Sequence, residues 1–225
     1  MEEGRILEWD SEFWGVRIAQ ISNVDADRWA RDNDVACAYL LVPAADPEQA
    51  HHAESAGYRL MDVRVELDAP PSSSQSAARP HRDADVDRLR AIARTNHGDT
   101  RFYADPRFPR DRCDELYDTW IRRSCEGWAD VVLVADADGV PAGYVSVHNR
   151  ADHGSIGLIG VDARARNRGI GETLVRSALT WCAEHELAEC RVVTQGRNVA
   201  AQRVFQRSGF RTRSVDFWFH KWFDE

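Results

Sequence analysis

Two stretches of the chain carry residue types whose spacing could do chemistry. The first is Gly157-Leu158-Ile159-Gly160-Val161, followed by Arg166-Asn167-Arg168-Gly169-Ile170-Gly171-Glu172. The apolar run bounded by glycine predicts a short buried strand. After the glycine turn, Ile170, Leu174, Ala178 and Cys182 recur at helical spacing, with Val175 and Leu179 beside them. A strand–turn–helix of this kind leaves backbone N–H groups unpaired at the helix N-terminus. Together with the helix dipole they suit a phosphate. Gly169 and Gly171 would let such a ligand approach the main chain without a Cβ in the way, and Arg166 and Arg168 add positive charge. A dinucleotide loop needs a third glycine, where Leu174 stands, and a nucleotide P-loop needs a lysine, which is missing here. The alternative is an ordinary strand-to-helix turn.

The second stretch is Asn198-Val199-Ala200-Ala201, then Phe205, then Gly209-Phe210, after the strand-like run Cys190–Thr194. Asn198 is a good helix N-cap, and Gly209 suits the position just past the helix end. The two stretches together resemble the motifs of the GNAT superfamily of acyl-CoA N-acyltransferases. The first matches [Q/R]-x-x-G-x-[G/A], and the second matches N-x-x-A-x-x-x-[YF]-x-x-x-G-[FY]. The resemblance implies an α/β GNAT fold, a mixed central sheet flanked by helices, with acetyl-CoA as co-substrate and no metal. It implies that Arg166, Asn167, Arg168, Gly169, Ile170, Gly171 and Glu172 take the pyrophosphate. The strand Leu158, Ile159, Gly160 and Val161 would be splayed from its neighbour, which frees N–H groups for the acyl oxygen and pantetheine. Asn198, Ala201 and Phe205 would lie along the pantetheine arm; for Asn198 a plain N-cap is the competing reading.

The chemistry so implied is attack of an amine on a thioester. The ammonium must lose a proton before attack, and the departing sulfur should gain one. In the family the aromatic of the second motif is usually a tyrosine read as the acid for the thiolate; here it is Phe205, which has no hydroxyl. The acid is therefore open, with Tyr144, Thr194 and His148 as candidates. His97, Tyr103 and His148 are candidate bases, each against a plain packing or surface role. Phe205 also supports a non-catalytic acyl-CoA-binding module as a competing class.

The whole chain is similar, within that superfamily, to the dTDP-4-amino-4,6-dideoxygalactose (dTDP-fucosamine) N-acetyltransferase type. The likeness rests on Leu7-Glu8-Trp9-Asp10-Ser11-Glu12-Phe13-Trp14-Gly15, on the Arg101-Phe102-Tyr103 loop, on Ser208-Gly209 and the aromatic tail, and on a small domain ahead of the acyltransferase domain. It implies a nucleotide-linked amino sugar as acceptor, with Arg101 and Tyr103 as acceptor contacts. Another small amine, an antibiotic amine or a peptide N-terminus is the alternative.

The elements that must position these residues can be read from pattern. Residues 1–68 predict a small α/β domain: strands Ile6–Trp9 and Val16–Ile21 around a turn at Asp10–Gly15, a buried strand Ala36–Val42, a helix Pro47–Ala56 capped by Asp46, and a strand Tyr58–Leu67. The string Ala53–Arg59 echoes Phe205–Arg211, each a helix end, a glycine, an aromatic and a strand. This suggests a partial copy of the acyltransferase fold without its glycine loop, and hence without a cofactor. Residues 69–80 read as a linker and 81–225 as the acyltransferase domain. The latter should hold helices at Asp83–Thr95 and Asp111–Cys125, a hairpin of Val131–Ala135 with Gly143–His148, and a last strand Thr212–Phe223. The polar-aromatic connector Gly98–Pro109 is long, which marks it as a candidate acceptor loop.

Composition narrows the class further. The 225 residues carry 37 acidic against 29 basic side chains, a net charge of −8, which argues against nucleic acid as a partner. Between Gly160 and Arg213, however, ten arginines face five acidic residues, which suits a polyanionic cofactor. Only one of the basic residues, Lys221, is a lysine, so arginine richness is also a general habit of this chain. The start Met1-Glu2-Glu3-Gly4 has no apolar run behind it, and no stretch is long enough to span a bilayer. Five cysteines without a C-x-x-C pair suggest reduced thiols. These features lead us to expect a cytoplasmic protein with no membrane partner; a homodimer follows from general frequency.

Overall fold

In the computed structural model, residues 3–73 and 77–223 are described. The chain begins with β1 (Gly4–Ile6), α1 (Glu8–Trp14), β2 (Ile18–Ile21), α2 (Asp27–Asp32), β3 (Cys37–Pro43), α3 (Pro47–Ser55) and β4 (Arg59–Ala69). It continues with β5 (Arg79–Pro80), α4 (Val86–Asn96), α5 (Arg101–Ala104), α6 (Arg110–Arg123), β6 (Val131–Ala137), β7 (Val140–Asn149) and β8 (Gly154–Val161). The last elements are α7 (Ile170–Glu184), β9 (Cys190–Gln195), α8 (Val199–Arg207) and β10 (Arg211–Trp222).

Most elements follow the pattern of the sequence. Asp46 caps α3 through a 3.0 Å bond from Gln49 N–H, with Pro47 at the first helical position. Asp138-Gly139, both at positive φ (54° and 78°), turns the β6–β7 hairpin. Two expectations need correction. The segment Asp10–Gly15 is not a turn between strands: it lies in α1, which Gly15 ends in the left-handed conformation (φ 72°). Ser11 Oγ holds α1 to β2, donating to Leu7 O at 2.8 Å and accepting from Ile18 N at 2.9 Å. The helix expected to reach Cys125 instead stops at Arg123, and a π-helical turn, Ser124–Trp128, follows. The connector 98–109 contains α5. Part of the expected linker, residues 74–76, lies outside the described residues, and its end, Arg79–Pro80, forms β5 against β6.

The ten strands of the described residues join one mixed sheet in the order β1-β2-β3-β10-β4-β9-β8-β7-β6-β5. Two pairs are parallel, β2–β3 and β8–β9, and they lie symmetrically about the central β10–β4 pair. This order makes the N-terminal unit a partial topological copy of the C-terminal one. The repeated strings fall at equivalent places: Gly57 (φ 83°) precedes β4, and Gly209 (φ 96°) precedes β10. Each of these strands crosses to the other half. β10 pairs with β3, and β4 pairs with β9. Helices α7 and α8 cover one face of the C-terminal half, over a core of Val65, Leu67, Leu174, Ala178, Val192 and Phe205. Helices α4 and α6 cover the opposite face, over Leu89, Ile92, Leu116, Ile121 and Tyr144.

Candidate functional site

The sheet is opened at one place. β8 and β9 pair only over Gly154–Ile156 against Cys190–Val192, and beyond that point no pairing joins them. In the N-terminal copy, β2 pairs with β3 along its whole length, Ile18–Ile21 against Cys37–Leu40, so no gap forms there. Asp162 N–H donates to Ala142 O at 2.8 Å and Leu158 N–H to Ser146 Oγ at 2.8 Å, both toward β7. Strand alternation therefore turns the N–H groups of Ile159 and Val161 to the open edge. Asn96, at the end of α4, accepts from Val161 N at 3.1 Å, which leaves the Ile159 N–H facing the gap. On the neighbouring strand Val193 is 44% exposed although β9 is central in the sheet.

The glycine turn lies at the mouth of this gap. Asp162 Oδ1 accepts from Arg164 N at 2.8 Å and its Oδ2 is ion-paired to Arg88, which fixes the strand exit. Asn167 (φ 61°) and Gly169 (φ 79°) then take the left-handed conformation, and α7 starts at Ile170. A Cβ on Gly169 would meet nothing within 4 Å, so the backbone angle, not crowding, calls for glycine there. A Cβ on Gly171 would make ordinary contact with Val204 at 3.7 Å. Arg168 Nη1 lies 3.1 Å from Asp138 Oδ2, with 51% and 79% of the two side chains exposed. Such a pair is worth at most about 1 kcal/mol and can yield to a phosphate. Arg166 Nη2 stands 3.4 Å from Asn96 Oδ1. Glu172 spends its carboxylate on Arg176 (2.7 Å), so what it can offer an anion is its backbone N–H. Asn198 Oδ1 accepts from Ala201 N at 3.1 Å and caps α8 beside the same gap. Phe205 is 2% exposed and packs against Phe210, with centroids 5.6 Å apart.

The proton-transfer candidates separate by face. Tyr144, Ser146 and His148 share one face of β7 and lie against glycines of β8. A Cβ on Gly160 would fall 2.8 Å from Tyr144 Cε1, and one on Gly157 would fall 2.7 Å from His148 Nε2. Tyr144 Oη stands 3.2 Å from His97 Nε2, and His97 stacks on Tyr117 at 4.3 Å. Burial lowers His97 to about 4 and raises the Tyr144 phenol, so both are neutral at neutral pH. Burial, assisted by Arg150, also lowers His148. Thr194 follows the alternation of Cys190 and Val192, which places it on the α7/α8 side, apart from Tyr144 and His148.

The two residues expected to contact the acceptor have different surroundings. The Arg101 guanidinium lies over the rings of Tyr39, Phe102 and Trp218 at 4.3, 4.5 and 4.3 Å. Tyr103 Oη donates to Asp114 Oδ1 at 2.5 Å, toward α6. Cation–π contacts are worth about 0.5–2 kcal/mol each, so Arg101→Ala is expected to lower the unfolding free energy by about 2 kcal/mol in a urea titration. An unchanged midpoint would show that the cage does not hold this region.

Sequence pattern does not single out Asp62 of β4. It is only 4% exposed. Its Oδ1 accepts from Val63 N at 2.9 Å, and Arg197 Nε stands 3.8 Å away. Burial pushes its carboxyl up to about 6, against the opposing pull of Arg197. In the sequence it alternates with Met61 and Val63 like any solvent-facing strand residue. Only the arrival of α5 and α6 above β4 encloses it. Among the described residues no group of His, Cys, Asp and Glu could hold a metal ion, and no helix is long and apolar enough to cross a membrane.

Comparison with known proteins agrees with this geometry. The acetyltransferase (GNAT) family model matches residues 87–210, from α4 to the start of β10. The chain is 26% identical over 194 residues to the spore coat polysaccharide biosynthesis protein SpsD of Bacillus subtilis, covering 82% of this chain and 66% of that protein. It is 30% identical over 97 residues to a mycothiol acetyltransferase of Clavibacter michiganensis, covering 42% of this chain and 32% of that one. The chain thus spans about two thirds of the first relative and about a third of the second. The crystal structure of a GCN5-related N-acetyltransferase from Sphaerobacter thermophilus superposes with a TM-score of 0.64 at 15% identity, over 97% of this chain and 76% of that one. The match spans more than half of the sequence and includes the opened strand pair, the glycine turn and α8: the chain belongs to the GNAT family of acetyltransferases.

Proposed function

We propose that this protein transfers an acetyl group from acetyl-CoA to a primary amine by direct attack. The observation that carries the reading is the gap between β8 and β9 with the N-terminus of α7 at its mouth. The residues present fit the cofactor. Gly169, Ile170 and Gly171 offer backbone N–H groups to the pyrophosphate, with Arg166 and Arg168 beside them. Asn198 and Ala201 border the path of the pantetheine arm, and Val193 offers it an uncovered apolar surface. The Ile159 N–H faces the place where a thioester carbonyl gains negative charge; one such donor is worth about 2.7–4 kcal/mol. Holding amine and thioester in line removes further entropy from the barrier.

For the acceptor, the relationship to a polysaccharide biosynthesis protein supports an amino sugar, including the nucleotide-linked sugar that the N-terminal signature suggests. The match to mycothiol acetyltransferases favours, as a second reading, a different small-molecule amine. The test is acetyl-CoA-dependent thiol release with a panel of dTDP-amino sugars, free amino sugars and simple amines. Acetyl-CoA at 100 times its dissociation constant should stabilise the fold by about 2.7 kcal/mol. A protein that shows neither the shift nor thiol release with any amine would overturn the proposal.

A further inference from the structure

Direct attack needs a group that meets the acceptor as an ammonium and relieves it of a proton, and the family motifs supply none here. The face of the sheet bearing α4, α5 and α6 supplies one. β4 pairs with β9 as far as Arg64 opposite Gln195. Just past that point, Gly196 N–H donates to Val63 O at 2.6 Å, which ties the end of β9 to β4. Asp62 therefore sits at the open end of β9, beside the loop that leads to Asn198. Its side chain points away from the α7/α8 core, since Val63 and Val65 face that core and strand residues alternate. Across the gap, on the same side, Tyr144 lies on Gly160 and reaches His97, which stacks on Tyr117. The gap is thus flanked on one side by β8, with its neutral Tyr144–His97 pair, and on the other by β9, past whose end β4 presents a carboxylate.

We propose that Asp62 receives the acceptor amine: its carboxylate pairs with the substrate ammonium at the mouth of the β8–β9 gap and takes the proton that must leave before attack. This rests on the acetyl-transfer reading given above. The carboxylate has capacity to spare. Oδ1 takes the Val63 N–H, and Oδ2 has no donor among the described residues. Arg197 Nε at 3.8 Å is too far for a hydrogen bond, and its side chain is 48% exposed, so an ammonium can displace it. Instead, Arg197 Nη2 donates to Met61 O at 2.7 Å. The charged and titratable groups facing Asp62 are Arg197 from the loop before α8, Arg101 from α5, Asp99 from the connection ahead of α5, and Tyr117 from α6. The two arginines keep the carboxyl ionisable despite its burial, and a base titrating near 6 is ionised at neutral pH while still able to hold a proton.

The step balances. One proton of the R–NH3+ group goes to Asp62, and the freed lone pair forms the C–N bond at the thioester carbonyl. As the C–S bond breaks, its electron pair stays on sulfur, and a second nitrogen proton passes to the thiolate. The products are the amide, the free thiol of coenzyme A, and a protonated Asp62 that returns its proton to water.

The test compares the wild-type protein, Asp62→Asn and Asp62→Glu in acetyl-CoA-dependent thiol release between pH 5 and 9, with the best acceptor from the amine panel. For the wild type, kcat/KM is expected to climb as pH rises through about 6 and then level off. Asp62→Asn should lose at least 100-fold in kcat/KM and lose the ascending limb, and Asp62→Glu should recover part of both. The acetyl-CoA thermal shift should be unchanged in all three. A carboxyl raised by burial weakens the fold as pH rises from about 4 to about 6, so Asp62→Asn at pH 7.5 should melt at or above the wild-type temperature. A purely structural Asp62 would lower Tm when replaced and leave the pH limb in place. Wild-type turnover with an Asp62→Asn profile identical to it would overturn this inference alone. Absence of turnover with every amine overturns the acetyl-transfer reading, and the role of Asp62 with it.

Discussion

Gly169→Val is expected to abolish most of the acetyl-CoA-dependent stabilisation while leaving a folded protein. Gly169 holds φ 79° and caps α7 from the left-handed region. A β-branched residue there is a genuine outlier, with a strain of about 1–3 kcal/mol. The space around it is open, since a Cβ would touch nothing within 4 Å, so the protein itself does not forbid the side chain. The conflict is with the ligand and with the angle. If the turn relaxes to a negative φ, the N–H groups of Ile170 and Gly171 no longer converge on one point. If it does not, the valine methyl groups stand where the pyrophosphate oxygens belong. Either way, affinity for acetyl-CoA should fall by about 100-fold or more, which removes most of the roughly 2.7 kcal/mol of stabilisation expected at 100 times the wild-type dissociation constant. Gly169→Ala should lie between. Titration calorimetry with acetyl-CoA decides it. Equal dissociation constants in wild type and a folded Gly169→Val protein would place the pyrophosphate elsewhere.

What could be read from the sequence, and what could not, follows from the range of the interactions involved. The glycine turn, the α7 stripe and the Asn198 cap are local, so spacing alone located them within a residue or two. The helix α1 is hidden in the sequence because Asp10-Ser11-Glu12 looks like a polar turn. Its helical state is fixed by Ser11 Oγ bridging Leu7 and Ile18 and by Gly15 ending it, neither of which is a periodic signal. The exchange of β4 and β10 between the two halves was invisible for the same reason: each strand's alternation names a buried face but not the partner. Asp62 shows the functional consequence. On an isolated β4 it is a solvent-facing aspartate; paired beside β9 and overhung by Arg101 and Tyr117, it is nearly enclosed. Gly157 and Gly160 carry a further signal that the sequence held without explaining. They read as the bounds of an apolar strand, whereas in the fold they make room for His148 and Tyr144.

Phe205→Tyr is expected to speed acetyl transfer and weaken the fold at once. Phe205 lies on the inner face of α8, one turn after Ala201, whose N–H is held by the Asn198 cap beside the gap. It is 2% exposed and packs on Phe210 within the α7/α8 core. A phenolic hydroxyl added there, with no partner in the free protein, should lower the unfolding free energy by about 1–3 kcal/mol. The resemblance to family members with a tyrosine at this position implies that the same hydroxyl is aimed at the departing sulfur. A thiol has a pKa of about 8.5, so the thiolate leaves tolerably without an acid, and the native phenylalanine slows the reaction without stopping it. Supplying the acid should raise kcat by about tenfold, which corresponds to about 1.4 kcal/mol of barrier. The KM for acetyl-CoA should barely move, because the gain arises as the C–S bond breaks and not when the cofactor binds. The joint signature, lower stability with higher kcat, separates this from a general loosening, which would lower both. If single-turnover rates of the variant match the wild type while chemistry is rate-limiting, the acid is already present. Tyr144, held by His97 over Gly160, and Thr194, on the α7/α8 side of β9, would then be the next residues to replace.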